Sequence, residues 1–254
     1  MRLLLISAAY PPAPGGVATH VAELAHGLVR SDHDVVVLTL SKDNKFRRGG
    51  ENRLIILKLP LRLEPTFHAQ GLYGENVLTA GLHNWHLIQA DIIHAHDPDS
   101  LFIGWMLKTV HRIPLVYTSH RAPSPWRQRR FLESPKDCFM ETMKHVNAID
   151  GIAVPSESSA RVLRQQGFED SNSPLKIEII PHGISQFLRS QTDDPAITEW
   201  ILSKKGTARL IYCPSRPDVH KDVETFLEAA GILKRLYEGG AVFRDGVCSR
   251  GRRL

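Results

Sequence analysis

The sequence predicts an α/β fold, a doubly wound parallel sheet over most of the chain followed by the opening of a second unit of the same kind. Three observations predict it. Short unbroken apolar runs recur, the pattern of strands buried on both faces of a parallel sheet. Amphipathic stretches of helical period separate them. The runs end in Gly, His, Ser and Asp, residues suited to holding a ligand.

Taken in order, Leu3 to Ala8 is the first strand, stopped by Pro11, Pro12 and Pro14. Val17, Val21, Leu24, Ala25 and Leu28 fall at i, i+4, i+7, i+8 and i+11, one apolar stripe of a helix that packs on the sheet. Val35 to Leu40 and Leu54 to Leu59 are the next two strands, and the polar, basic stretch Ser41 to Arg53 reads as a loop between them. From Pro60 to Ala90 the pattern weakens, with Val77, Leu78, Leu82, Leu87 and Ile88 at helical spacing but Pro65, Gly71, Gly74 and Gly81 interrupting. Asp91 to Ala95 is a strand, Ser100 to Val110 a helix, and Leu115 to Ser119 a strand opened by Pro114. Residues 121–136 read as a loop with a basic run, Arg127, Arg129, Arg130 and Lys136, and Cys138 to Ile149 as a helix. Gly151 to Val154 is a strand, and Ser156 caps a helix that runs to Gln166 and ends at Gly167. Lys176 to Ile180 is the seventh strand. Such alternation implies parallel strands with right-handed crossovers.

Geometry then places the function. In open α/β sheets ligands bind beyond the carboxyl ends of the strands. Here those ends carry Gly15, Gly16, His96, Asp97, His120, Ser156, His182 and Gly183 on one rim. Gly15 and Gly16 also open the first helix, where free N–H groups and the positive end of the helix dipole favour an anion such as phosphate. Glycine there removes the Cβ from the path of an approaching ligand.

Composition narrows the choice. The 254 residues are 42% hydrophobic and 23% charged, an ordinary globular balance with room for a real core. No G-x-G-x-x-G is present, so a nicotinamide enzyme is not the first reading. No segment approaches the roughly 20 apolar residues that span a bilayer. The short, Pro-broken apolar start does not resemble a secretory signal, and a cytoplasmic chain is the expectation. Cys138, Cys213 and Cys248 are odd in number and widely spaced, which indicates free thiols and neither a disulfide framework nor a structural zinc site. The net charge of +5 falls largely in residues 244–254, whose four Arg and one Asp carry +3. A basic tail without interleaved aromatics does not indicate nucleic acid.

A second unit follows a polar hinge, Ser190 to Asp194, and a short helix around Ala196 to Lys204. Arg209 to Cys213 reads as its first strand, Pro214 to Pro217 as the outgoing loop, and Val223, Phe226, Leu227, Ala230 and Leu233 as one face of a helix. One strand and one helix do not make a core, and GGAVFRDGVCSRGRRL, from Gly239, has little apolar period. The expected organisation is a first domain over 1–189, a hinge over 190–207, the start of a truncated second domain over 208–238, and an irregular basic tail over 239–254.

Over about residues 1 to 238 the chain resembles the GT-B glycosyltransferases of family 4. The motifs are YPPAPGG at 10–16, HAHDPDS at 94–100, TSH at 118–120, VPSESS at 154–159, IIPHGI at 179–184 and SRPDVHK at 215–221. The resemblance implies two Rossmann-like domains, the second incomplete here, and retaining transfer of a hexose from a nucleotide-diphosphate donor to an acceptor. It implies that Gly15 and Gly16 close against the donor phosphates and that His120 contacts the donor sugar near the reacting centre. Arg216 and Lys221 match the basic pair that holds the donor diphosphate, and no cofactor or metal is expected. An Arg fork and a Lys point charge offset the charge that builds on the leaving group. The paired-glutamate motif of the family's second domain and its final crossing helix have no counterpart in this sequence.

Two other readings of the same residues stand beside it. His94 and His96, on one face of a strand, with His120 and Asp97, are a possible ligand set of a metal-dependent hydrolase. Asp97-Pro98-Asp99 mimics a D-x-D metal motif, but Pro98 marks a strand-to-helix turn. A chain with half a second domain also fits an inactive module that holds an acceptor or a partner. Arg127, Arg129 and Arg130 then supply peripheral contact with an anionic membrane face.

Overall fold

A computed structural model describes residues 1–41, 45–60, 84–120, 148–168, 175–183, 195–205, 211, 213 and 222–236. Two compact units are present, Met1–Ser185 and Gln186–Leu254.

The described residues of the first unit form an eight-stranded sheet. Its strands are β1 (Arg2–Ile6), β2 (Asp34–Ser41), β3 (Arg47–Gly49), β4 (Leu54–Pro60), β5 (Ile92–Ala95), β6 (Leu115–Thr118), β7 (Gly151–Val154) and β8 (Lys176–Ile179). They lie in the order β3-β4-β2-β1-β5-β6-β7-β8. Every pairing is parallel except that of β3 with β4. The order reverses at β1, which pairs with β2 on one side and β5 on the other. A crevice opens at such a switch point.

Alternation along β1 sends neighbouring residues to opposite layers. Leu5 joins Val35 and Val37 under the helix α1 (Gly16–Arg30), against Val21 and Ala25. Leu4 and Ile6 face the other layer with Val36, Leu38 and Ile93, under Leu101, Ile103 and Leu107 of α3 (Pro98–His111). Ala160 and Leu163 of α4 (Glu157–Gln165) extend that layer over β7. The described helices thus cover both faces, and each fully buried Leu or Ile contributes about 1.5–3 kcal/mol. A short α2 (Trp85–Ile88) precedes β5 and buries Ile88.

The parallel strands fall where the apolar runs place them, and the fold is the expected doubly wound, Rossmann-like one. The loop expected over Ser41 to Arg53 contains instead the edge strand β3, antiparallel to β4. Arg47, Arg48 and Gly49 are all exposed, so no apolar alternation marked it. Charged residues on an edge strand also oppose pairing with another chain. The helix expected from Ser100 begins at Pro98, because proline is favoured in the first helical turn and Asp97 caps it. The helix expected over Cys138 to Ile149 lies almost wholly outside the described residues, as do Arg127, Arg129, Arg130, Lys136, Cys138 and Cys248. Cys213 is a free thiol.

In the second unit, α5 (Pro195–Lys205) buries no residue and α6 (Val223–Leu236) buries Ala230. Most of the strand expected over Arg209 to Cys213, together with Arg216, Lys221 and the basic tail, lies outside the described residues. No helix among the described residues is long and apolar enough to cross a membrane.

Candidate active site

The carboxyl ends of β5, β6 and β8 bring three histidine-bearing segments to one rim, and α1 adds the ring of His20. The strand ends are fixed first. The N–H of His96 donates to Ile6 O at 3.0 Å, that of Ser119 to Ala153 O at 2.9 Å, and that of Ile180 to Val154 O at 2.8 Å, so the ladders continue past the strands. Gly15 is the N-cap of α1 with φ 132°, a positive φ that favours glycine. A Cβ at Gly15 or Gly16 would meet nothing within 4 Å among the described residues. No side chain among the described residues caps the first turn.

The rings form one cluster. His96 Nδ1 lies 3.3 Å from His120 Nε2, and His120 Nδ1 lies 3.1 Å from His182 Nε2. His20, on the second turn of α1, packs 4.9 Å from His120 and 4.0 Å from His182 between ring centroids. His96 is buried, at 1% exposure, and its Nε2 has no hydrogen-bond partner among the described residues. Burial and mutual repulsion keep the cluster neutral at physiological pH. Burial first, then His182, lowers His20 to about 4. Burial, with His20, His182 and His94 behind it, lowers His120 to about 3. His96 is held well below 6.5 by burial and by its four neighbours, and burial lowers exposed His182 as well. Neutral imidazoles exchange one donor and one acceptor each, which suits sugar hydroxyls.

Asp97 and His94 serve the frame. The Asp97 carboxylate accepts from the N–H of Ala8, the N–H of Ser100 and the Ser100 hydroxyl, each at 2.8 Å, and so ties the end of β1 to the start of α3. His94 Nε2 lies 2.6 Å from Thr118 Oγ1 across β5 and β6. The alternative ligand set of His94, His96, His120 and Asp97 is therefore not assembled. The imidazoles whose nitrogens converge, within 4.8 Å of one another, are those of His20, His96 and His120. Ser156 is likewise a cap, its hydroxyl accepting from Ser159 N–H at 3.3 Å, and Gly183 is exposed beside His182.

Residues 14–186 match Glycosyltransferase Family 4. The chain belongs to that family. This family 4 chain is 30% identical over 187 residues to an uncharacterised glycosyltransferase of Methanocaldococcus jannaschii, covering 73% of the chain and 47% of that protein. It is 30% identical over 122 residues to the alpha-monoglucosyldiacylglycerol synthase of Acholeplasma laidlawii, covering 47% of the chain and 30% of that protein. It thus spans less than half the length of either relative. Among solved structures, the α,α-trehalose 6-phosphate synthase of Burkholderia multivorans aligns with a TM-score of 0.66 at 15% identity, over 94% of this chain and 61% of that one. That likeness is one of fold.

In the family 4 chain the structure brings together His96, His120 and His182 of the expected residues, and Gly15 and Gly16 open the helix that adds a fourth ring. His20 is the addition. A signal for it existed: it stands between Val17 and Leu24 at helical spacing, a polar break in the apolar stripe one turn from the glycine loop.

Proposed function

We propose that this chain supplies the acceptor-side domain of a retaining glycosyltransferase that moves a hexose from a nucleotide-diphosphate donor. The observation that carries the reading is His120, fixed between His96 and His182 at the strand-end rim and packed against His20 of the helix that Gly15 and Gly16 open. Family membership adds the reaction class.

In this reading the bond between the anomeric carbon and the phosphate oxygen breaks, a bond from the acceptor hydroxyl oxygen forms on the same face, and the hydroxyl proton leaves with the diphosphate. His120, neutral near pH 7, orients a sugar hydroxyl by hydrogen bonding without adding a charge beside the cationic reacting carbon. The uncapped first turn of α1 presents N–H groups toward the phosphates. Arg216 and Lys221 offset the charge that builds on the departing diphosphate, the task a metal performs in other transferases. His96 and His182 hold the ring of His120, and Asp97 holds the turn that carries His96. A lipid acceptor, the class in the name of the Acholeplasma relative, would draw the basic run Arg127, Arg129 and Arg130 to an anionic membrane face.

Calorimetric titration with UDP, GDP and ADP tests the reading, with Arg216→Ala and Lys221→Ala as controls. Binding of one nucleotide, weakened by either substitution, identifies the donor class. A folded chain that binds none of the three is an acceptor- or partner-binding module instead.

A further inference from the structure

We infer that His20, His96 and His120 form a site for a transition-metal ion of the zinc class, which competes with the sugar for the same cleft. Three imidazoles reach one point from three separate elements: α1, the end of β5 and the end of β6. One nitrogen of each lies within 4.8 Å of those of the other two. His96 Nδ1 and His120 Nε2 already stand 3.3 Å apart. That separation matches the edge of a tetrahedron whose corners lie about 2.0–2.1 Å from a central zinc ion. Drawing in the third ligand takes a movement of about 1.5 Å at most for such an ion. A half-buried side chain on a helix, as His20 is, makes that movement by a change of rotamer.

The surroundings favour the same ligand. His96 is 1% exposed and packed beneath the rim, so one corner of the site is rigid. His120 faces His182 Nε2 with its other nitrogen, at 3.1 Å. Metal-bound imidazoles make such an outer hydrogen bond, and it sets the tautomer that leaves Nε2 free to ligate. An all-imidazole set suits Zn2+, Co2+, Ni2+ and Cu2+, whereas Mg2+ and Ca2+ take oxygen ligands. The carboxylate of Asp97, the nearest oxygen ligand in sequence, is committed to Ala8 and Ser100. Three protein ligands leave the fourth position to water.

An ion held there takes up the His120 imidazole, so an occupied site is closed to sugar transfer. That consequence rests on the proposed function, whereas binding itself does not. Zinc is titrated calorimetrically into the full chain without a polyhistidine tag, and cobalt(II) into a second sample followed by visible absorption. The expected result is one equivalent of each ion, the absorption bands of tetrahedral cobalt, and affinity at least tenfold weaker in His20→Ala and in His120→Gln, with no response to magnesium. His20→Ala keeps a helix-favouring residue on α1, and circular dichroism checks that both variants fold. A folded chain that binds no zinc overturns the inference. So does binding that both variants leave unchanged, which would put the ion on others of the 13 histidines. The nucleotide titration is run without metal, so each result stands or fails separately.

Discussion

The Nδ1 of His120 lies 3.1 Å from the Nε2 of His182 and joins the end of β6 to the end of β8 across 62 residues of sequence. Since His96 stands at the other ring nitrogen, the orientation of His120 is set from both sides. His120→Ala is expected to lower the rate of sugar transfer about 10²- to 10³-fold, the range for loss of one placed hydrogen-bonding group, with nucleotide affinity unchanged. His182→Ala, which only frees the ring, is expected to cost less in rate. Steady-state kinetics beside nucleotide titration separate the two effects, and equal loss of affinity and rate in His120→Ala would remove it from the sugar.

The histidines also make stability depend on pH. Burial, ahead of neighbouring charge, holds His20 and His94 at about 4 and His120 at about 3, against 6.5 for a free imidazole. Their folded values are depressed, so below pH 6.5 the unfolded chain binds more protons than the folded one. The stability they confer is full above that value and lost as pH falls toward 4. Unfolding near pH 5 is expected to take up roughly three or four protons. Urea midpoints at pH 7.5, 6 and 5 should therefore fall steeply, and a flat profile would mean that the rings are solvated.

Asp97→Ala removes a helix cap and the charged acceptor of the Ala8 N–H together. The expected loss is about 2–4 kcal/mol of unfolding free energy, with a smaller loss for Asp97→Asn, which keeps one oxygen. Equilibrium urea unfolding measures both. An alanine variant as stable as the parent would leave the contact at the end of β1 without energetic weight.

Gly104, on α3, packs tightly against the sheet. A Cβ there would stand 2.8 Å from Leu115 Cδ1 and 3.3 Å from Ile93 Cγ2. Gly104→Val is expected to destabilise the domain by about 1–3 kcal/mol through overpacking. Gly104→Ala should cost less, because alanine gains about 1 kcal/mol in helix propensity and meets the movable tip of a leucine. Thermal unfolding of the two variants gives the order.

Much of this was legible in the residues. Leu3 to Ala8, Val35 to Leu40 and Gly151 to Val154 are apolar because both faces of a parallel strand are covered, and that alone locates the rim. Ser156 announced its cap. β3 stayed hidden because Arg47 and Arg48 lie on an exposed edge, where pairing leaves no apolar pattern. His20 was hidden by its helix, since a side chain on α1 reaches the strand ends only through the packing of α1 on Leu5, Val35 and Val37. The roles of Asp97 and His94 were equally out of reach of spacing. A carboxylate beside two histidines reads as a ligand until the N–H groups of Ala8 and Ser100 are seen to occupy it.

β8 lies at one border of the sheet and is the last of its strands to leave the ribosome. During synthesis β1 to β7 can pair as each emerges, but the rim lacks His182 until residues beyond β8 have been made. On the proposed reading, a ligand that contacts His182 finds no complete surface on the nascent chain and recognises only a domain whose sheet has closed through β8.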